Sequence, residues 1–266
     1  MFRRFYGLSE KPFSKTPDPR FLYLSAGHRE ALARLQYAVE EREPALLTGE
    51  IGSGKTTLSR AVMDSLDDSY RFCFVFNPVL TPFEFLRVIA GGLGLEKPSG
   101  AKDELLKEIT GELYRLHSEG GCPVIVVDEA QLIPQREIFD EIRLLTNFQL
   151  DDKNLLSLII MGQPELRKNL ALPVFEPLRQ RIGIQYHLGP LDLEETMEYI
   201  DFRVRVAGGK AGLFSPEAIQ MIYEISGGVP RKINAVATNA LLVGYGKDAA
   251  WIDDTIIEDV RKEMIV

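Results

Sequence analysis

The chain has 266 residues, a net charge of −8 and a hydrophobic content of 45%. That length suits one large α/β domain with a smaller appendage, or two modest domains, and the apolar fraction is enough for a full core. The acidic balance argues against broad non-specific DNA binding, though it leaves room for a local basic patch, and no apolar run reaches the roughly 18 residues that a membrane span needs. Met1-Phe2-Arg3-Arg4-Phe5-Tyr6 is basic, but charged and proline residues follow at once, so it lacks the apolar core of a signal peptide. Cys73 and Cys122 are too few for a disulfide framework, and Cys73 sits in an apolar run as a reduced core residue would, which points to the cytoplasm.

Residues 1–24 carry Pro12, Pro17 and Pro19 among scattered aromatics (Phe2, Phe5, Tyr6, Phe13, Phe21, Tyr23) and read as an irregular arm pinned to the core. Ser25 is placed to cap a helix over about 26–41, with Ala31, Leu32, Leu35, Ala38 and Val39 as its apolar stripe. Ala45-Leu46-Leu47-Thr48 then reads as a strand running into Gly49-Glu50-Ile51-Gly52-Ser53-Gly54-Lys55-Thr56-Thr57, which fits G-x-x-x-x-G-K-[ST]. Glycines let a backbone bend around a phosphate so that successive N–H groups face its oxygens. A helix opening at about Gly54 adds its unsatisfied N–H groups and positive dipole end. Lys55 would neutralise β/γ-phosphate charge, and the Thr56 hydroxyl is a Mg²⁺ ligand of the right kind. Leu58, Ala61, Val62 and Leu66 continue at helical spacing, which favours this reading over a chance glycine turn.

Phe72-Cys73-Phe74-Val75-Phe76 reads as a fully buried strand. Thr81-Pro82-Phe83-Glu84 has the form of a capping box, and its helix is expected to end at Gly91-Gly92. A further helix over about 102–118 carries Leu105, Leu106, Ile109, Leu113 and Leu116 on one face. Val124-Ile125-Val126-Val127 is a buried strand with Asp128 and Glu129 at its C-terminal end, where parallel sheets bind ligands. Asp128 is the natural direct or indirect Mg²⁺ partner of Thr56, and Glu129 is suited to orient and polarise a water for attack on a γ-phosphate. Asp140 to Leu150 is amphipathic. Leu155–Met161 is the next strand, and Gly162-Gln163-Pro164 brings a polar amide to the same edge. Arg179-Gln180-Arg181 precedes a last strand in which Ile184, Tyr186 and Leu188 alternate. The count is five strands separated by helices, the pattern of a wound parallel sheet.

Pro190 marks a boundary beyond which only helices are expected, over about 192–206, 215–226, 230–245 and 254–264. Ser215-Pro216-Glu217 opens one, Gly227-Gly228 closes it, Pro230 starts the next with Arg231 in its first turn, and Asp253 or Asp254 caps the last. His28, His117 and His187 are dispersed without cysteine partners, which disfavours zinc. The basic pairs Arg3-Arg4, Arg203/Arg205, Arg231-Lys232 and Arg261-Lys262 lack interleaved aromatics and read as solvated faces.

A P-loop, a Val-Val-Asp-Glu strand, a polar residue after the next strand, an arginine before the fifth strand and an arginine in a helical lid together resemble an AAA+ ATPase over about residues 25–265. More narrowly, Phe5-Tyr6-Gly7-Leu8, Lys11-Pro12-Phe13, Pro17-Asp18-Pro19, His28-Arg29-Glu30-Ala31-Leu32, Asn77-Pro78 and Gly162-Gln163-Pro164-Glu165-Leu166 are similar to the GspA/ExeA-type ATPases. That family serves type II secretion, with close relatives in pilus and exopolysaccharide systems and related DNA transposition helpers. The resemblance implies an α/β P-loop NTPase with a five-stranded parallel sheet and a small all-helical lid. Its parts would be an arm at 1–24, an ATPase domain at 25–189 and a lid at 190–266.

Carried over residue by residue, the resemblance makes Asp128 the metal-side aspartate and Glu129 the catalytic glutamate. Gln163 stands at the first sensor, where Asn or Thr is commoner. Arg181 resembles the arginine finger, with Arg179 as the other choice, and Arg231 resembles the second sensor. The implied ligands are ATP or ADP and Mg²⁺. The implied partners are further copies of the chain in a ring or filament and an envelope or secretion protein, with DNA possible but not favoured. The location would be cytoplasmic, with a place at the inner face of the inner membrane left open. Longer members continue through a membrane segment into a cell-wall-binding domain, whereas this chain stops at Val266. A relative without those parts and a shortened chain are both open.

Overall fold

The computed structural model describes residues 1–14, 18–150 and 153–263. Pro17 of the Pro17-Asp18-Pro19 pattern, and Met264 at the end of the last expected helix, lie outside the described residues. In chain order the elements are α1 (Phe2–Phe5), α2 (Ala26–Glu40), β1 (Ala45–Gly49), α3 (Lys55–Ser65), β2 (Tyr70–Val75), α4 (Pro82–Leu93), α5 (Lys102–Ser118) and β3 (Cys122–Val127). There follow α6 (Arg136–Leu145), β4 (Gln149–Leu150), β5 (Lys153–Asn154), β6 (Ser157–Gly162), α7 (Pro164–Leu170), α8 (Glu176–Arg179) and β7 (Ile184–Leu188). The chain closes with α9 (Leu193–Val206), α10 (Pro216–Ser226), α11 (Pro230–Gly246) and α12 (Asp254–Glu263). It divides into two compact units, one of His28–Gly49 and Leu58–Leu188, the other of Met1–Gly27, Glu50–Thr57 and Gly189–Val266.

The first unit is built on a five-stranded parallel sheet in the order β2-β3-β6-β1-β7. The three central strands β1, β3 and β6 are buried at every position, as continuous apolar runs in a parallel sheet require. Phe85, Leu86 and Ile89 of α4, Ile109 and Leu113 of α5, and Ile138 and Ile142 of α6 pack on the face that shows Cys73, Val75, Ile125, Val127, Leu158 and Ile160. Because the strands are parallel, Gly49, Asp128 and Gln163 emerge at one edge of the sheet, with β6 hydrogen-bonded between β3 and β1. The capping box at Thr81 forms as expected: the Glu84 N–H donates to Thr81 Oγ1 at 3.3 Å, and the Thr81 N–H donates to the Glu84 carboxylate at 2.8 Å.

Three expectations for this unit need correction. The Phe72–Phe76 run is not a fully buried strand, because β2 lies at the sheet edge. Only Cys73 and Val75 face the core, while Phe72, Phe74 and Phe76 stack on one another at 6.0 and 5.1 Å and Phe76 is 54% exposed. The helix α4 does not end at Gly91-Gly92. It runs on to Leu93 and stops at Gly94, whose φ of 108° supplies the left-handed cap. A Cβ on Gly92 would lie 2.0 Å from the Cys73 sulfur, so that glycine serves the approach of helix to strand. Finally, the amphipathic stretch is α6 at Arg136–Leu145, and Gln149-Leu150 belongs to a short antiparallel pair, β4 with β5, which the sequence reading did not foresee.

The second unit is helical, and its ends are written in the sequence. Asp192 and Glu195 form a reciprocal capping box on α9. Ser215 Oγ accepts the Ala218 N–H at 3.1 Å, and Asp253 accepts the Ile256 N–H at 3.1 Å, which selects Asp253 as the cap of α12. Gly227 closes α10 at φ 58°. Gly228 follows at φ 72°, where a Cβ would fall 1.9 Å from the Leu191 carbonyl oxygen.

Tyr6, Leu8, Phe13 and Phe21 of the arm are buried with Ile200, Val204, Ile219, Ile233 and Leu241 in one core, so the arm is integral to this unit. Arg203 corrects the reading of its basic pair as a solvated face. It is 7% exposed, and its guanidinium donates to the Pro12 carbonyl at 2.6 Å and the Tyr199 hydroxyl at 2.8 Å while lying over the Phe21 ring at 5.0 Å. No helix among the described residues is long and apolar enough to cross a membrane.

Candidate active site

The strand β1 runs directly into the loop Glu50–Gly54, and α3 starts at Lys55. Gly52 (φ 81°) and Gly54 (φ 107°) hold left-handed backbone that a side chain would strain. The Ser53 N–H donates to the Glu50 carbonyl at 3.1 Å and closes the turn. The same carbonyl accepts the Lys55 ammonium at 3.0 Å, and Lys55 is only 5% exposed. A buried cation is thus folded over a glycine-rich loop beside the N-terminus, the positive dipole end, of an eleven-residue helix. That is a cradle for a polyphosphate: a fixed positive charge and backbone donors at a helix N-terminus. Ser53 is buried, Thr56 and Thr57 are half-buried in the first turn of α3, and Ile51 is exposed at the outside of the loop.

Arg231, in the first turn of α11, meets this loop. Its N–H donates to the Gly52 carbonyl at 3.3 Å, and a Cβ on Gly52 would stand 2.2 Å from Arg231 Cβ. Gly52 is therefore needed twice, for its φ and for the seat of Arg231.

At the sheet edge, Asp128 is 4% exposed and its Oδ1 accepts the Glu129 N–H at 2.8 Å. Glu129 has φ 52°, a left-handed conformation for a residue with a Cβ, held where β3 breaks into a 3₁₀ turn over Ala130–Leu132. Its Oε2 accepts two side-chain amides, from Gln131 at 2.5 Å and from Gln163 at 3.1 Å. The Gln131 Oε1 in turn accepts the Gln163 backbone N–H at 2.9 Å, so the three residues form a closed ring of hydrogen bonds. Gly162 makes room for it, since a Cβ there would lie 2.8 Å from Gln131 Oε1. The structure brings Glu129 and Gln163 together as the order of β3 and β6 requires. Gln131 was not singled out by sequence reasoning. The available signal was its amide two residues beyond a carboxylate at a strand end.

The two arginines before β7 differ. The Arg179 guanidinium donates to the carbonyls of Leu170 at 3.3 Å and Ala171 at 3.0 Å, closing the C-terminal end of α7. Arg181 lies beyond α8 and is exposed to solvent.

Residues 39–170 match the family model described as an AAA domain. The chain is 40% identical over 250 residues to General secretion pathway protein A of Aeromonas hydrophila, covering 93% of this chain and 45% of that protein. It thus spans less than half the length of that relative. The fold is similar to a solved structure of Cdc6p from Pyrobaculum aerophilum, with a TM-score of 0.71 at 19% identity over 93% of this chain and 71% of that one. It is also similar to the Aeropyrum pernix ORC2 protein in its ADPNP–ADP complexes, with a TM-score of 0.70 at 16% identity over 96% of this chain and 72% of that one.

Proposed function

This chain belongs to the AAA+ P-loop NTPases, and from that premise we propose that it binds ATP with Mg²⁺ and hydrolyses it to ADP and phosphate as part of a homo-oligomer. The observation that carries the reading is the cradle at Gly52–Lys55, where two left-handed glycines, a buried lysine and a helix N-terminus converge. In it the loop N–H groups from Gly49 to Thr57 and the Lys55 ammonium hold the β- and γ-phosphates. Thr56 and Asp128 are the groups that would hold Mg²⁺, which when bound neutralises phosphate charge. The donor set fits: a hydroxyl and a single carboxylate suit a cation that keeps most of its waters and phosphate oxygens.

Glu129 orients the attacking water and accepts its proton, and Gln163 donates to a γ-phosphate oxygen. Arg231 senses the phosphate from α11. Arg181, rather than Arg179, is the finger offered to a neighbouring copy, because Arg179 already closes α7. The proposed parts are an arm at 1–24, an ATPase domain at 25–189 and a lid at 190–266. The likeness to General secretion pathway protein A supports a role in secretion; the role proposed is to drive assembly of a secretion or other envelope machine from the cytoplasm, at the inner face of the inner membrane.

The test is ATP turnover against protein concentration for wild type, Glu129→Gln and Arg181→Ala. Specific activity should rise with concentration, and both variants should lose it while still binding ATP. Activity that is flat with concentration and indifferent to Arg181→Ala would remove the finger in trans and favour a monomeric switch. ATP binding with no turnover at any concentration, alone or with duplex DNA, would favour a nucleotide-gated scaffold. Turnover or binding that appears only with DNA, with a steep salt dependence, would favour a transposition-helper role.

A further inference from the structure

We propose that Gln131 is a positioning residue that holds Glu129 in place at the moment Gln163 leaves it. The inference rests on the reading of Glu129 as the water-orienting carboxylate. In the ligand-free ring both amides converge on one oxygen, Glu129 Oε2. The Gln163 NH₂ group has two N–H donors that point apart, and a γ-phosphate oxygen that takes the N–H now on Glu129 draws that donor off the carboxylate. When the phosphate takes that N–H, Gln131 is the side-chain donor that Glu129 keeps among the described residues.

Gln131 is suited to that duty because its amide is bound at both ends. Its Nε2 is on the carboxylate, and its Oε1 is on the Gln163 backbone N–H, which stays in place when the Gln163 side chain turns. The strained backbone of Glu129 makes the restraint necessary, because a left-handed residue at a strand end lacks a ladder to fix its direction. Gly162 shows the site is built for the amide, since a Cβ at that position would press on Gln131 Oε1 at 2.8 Å and on Leu166 Cδ2 at 2.6 Å. Gln131 thereby ties the position of the base to the residue that reads the γ-phosphate.

The experiment uses Gln131→Met, which keeps length and bulk but neither donates nor accepts as an amide does, alone and combined with Glu129→Gln, with melting curves as the check on folding. Losing one charge-assisted hydrogen bond should lower kcat roughly tenfold or more, with KM for ATP changed by less than about twofold. In the Glu129→Gln background the same substitution should leave the residual rate within about twofold, because there is no carboxylate left to hold. An unchanged kcat, or an equal loss in both backgrounds, would overturn the proposal in favour of a merely structural glutamine.

Equal turnover in wild type and Glu129→Gln, or none in either, would sink the reading of Glu129 and leave the ring to a readout free of turnover. The side-chain amide resonances of Gln131 and Gln163 in ¹⁵N-glutamine-labelled protein supply it. Both should shift on Glu129→Gln. A non-hydrolysable ATP analogue with Mg²⁺ should move Gln163 and leave Gln131 on the carboxylate. A Gln131 resonance blind to Glu129→Gln, or one that moves together with Gln163 on adding the analogue, would overturn the proposal whatever the turnover.

Discussion

Gly52 carries two constraints in one residue, a backbone at φ 81° and a surface filled by Arg231. An alanine there must take up strained backbone and also push Arg231 Cβ from 2.2 Å to ordinary contact. The left-handed conformation alone costs about 1–2 kcal/mol in a residue with a Cβ, and the displaced helix start adds to it. Gly52→Ala should therefore weaken ATP binding about tenfold or more and lower the melting temperature, both measurable on the purified chain. Near-normal affinity and melting would mean that the loop and Arg231 part at little cost. The other site residues differ in how far the sequence discloses them. The spacing from Gly49 to Thr56 is local chemistry and readable in the chain, as is the pair Asp128-Glu129 at the end of an apolar run. Gln131 and Arg203 are not, because an amide or a guanidinium in sequence looks like surface until the fold supplies its partners. Those partners are a glutamine 32 residues away for Gln131 and a carbonyl 191 residues away for Arg203.

At the scale of elements, periodicity located the helices and strands, and the departures have a common cause. An apolar run says that a strand is buried but not whether it is central, so β2 was misread until its place at the sheet edge was known. A glycine pair says that a helix is interrupted or closely packed but not which, and at Gly92 the answer depends on a sulfur in another element. That contact has a consequence for stability. Burial between α4 and the sheet pushes the Cys73 thiol up to about 11 from its ordinary value of 9.0. The folded group keeps its proton over a range in which the unfolded chain releases one, so stability is unaffected below about pH 9 and falls as pH rises toward about 11. The loss is roughly 2 kcal/mol across that window. Cys122, raised by burial as well, adds to the same slope. Urea midpoints for wild type and Cys73→Ala at about pH 8 and about pH 10 check it. The variant should be less stable at the lower pH through its lost packing, yet should lose less on going to the higher one. An equal loss in both proteins would show that Cys73 is not the titrating group.

For the whole molecule, the proposed finger implies that a catalytic centre is shared between copies. Arg181 is exposed beyond α8, and the carboxylate it would serve, Glu129, is held in its own subunit by Gln131 and Gln163. A finger offered outward and a base held inward make a heterologous interface, in which each copy gives one surface and receives another. Two defective chains can then repair each other. A subunit with Arg181→Ala keeps Glu129, and a subunit with Glu129→Gln keeps Arg181. Where the first receives its finger from the second, all the required groups meet at one site. With random mixing of equal amounts, one interface in four has that arrangement, so turnover should recover to about a quarter of wild type. Each variant alone should stay near background, and a mixture with Lys55→Ala in place of Arg181→Ala sets a control, since it supplies no intact site in either partner. A mixture that gives only the sum of its separate rates, in protein shown to assemble, would mean that Arg181 acts within its own chain or not at all. The ring or filament would then need a reason other than hydrolysis. Recovery at the expected level would fix both the direction of the interface and the subunit to which each half of the site belongs.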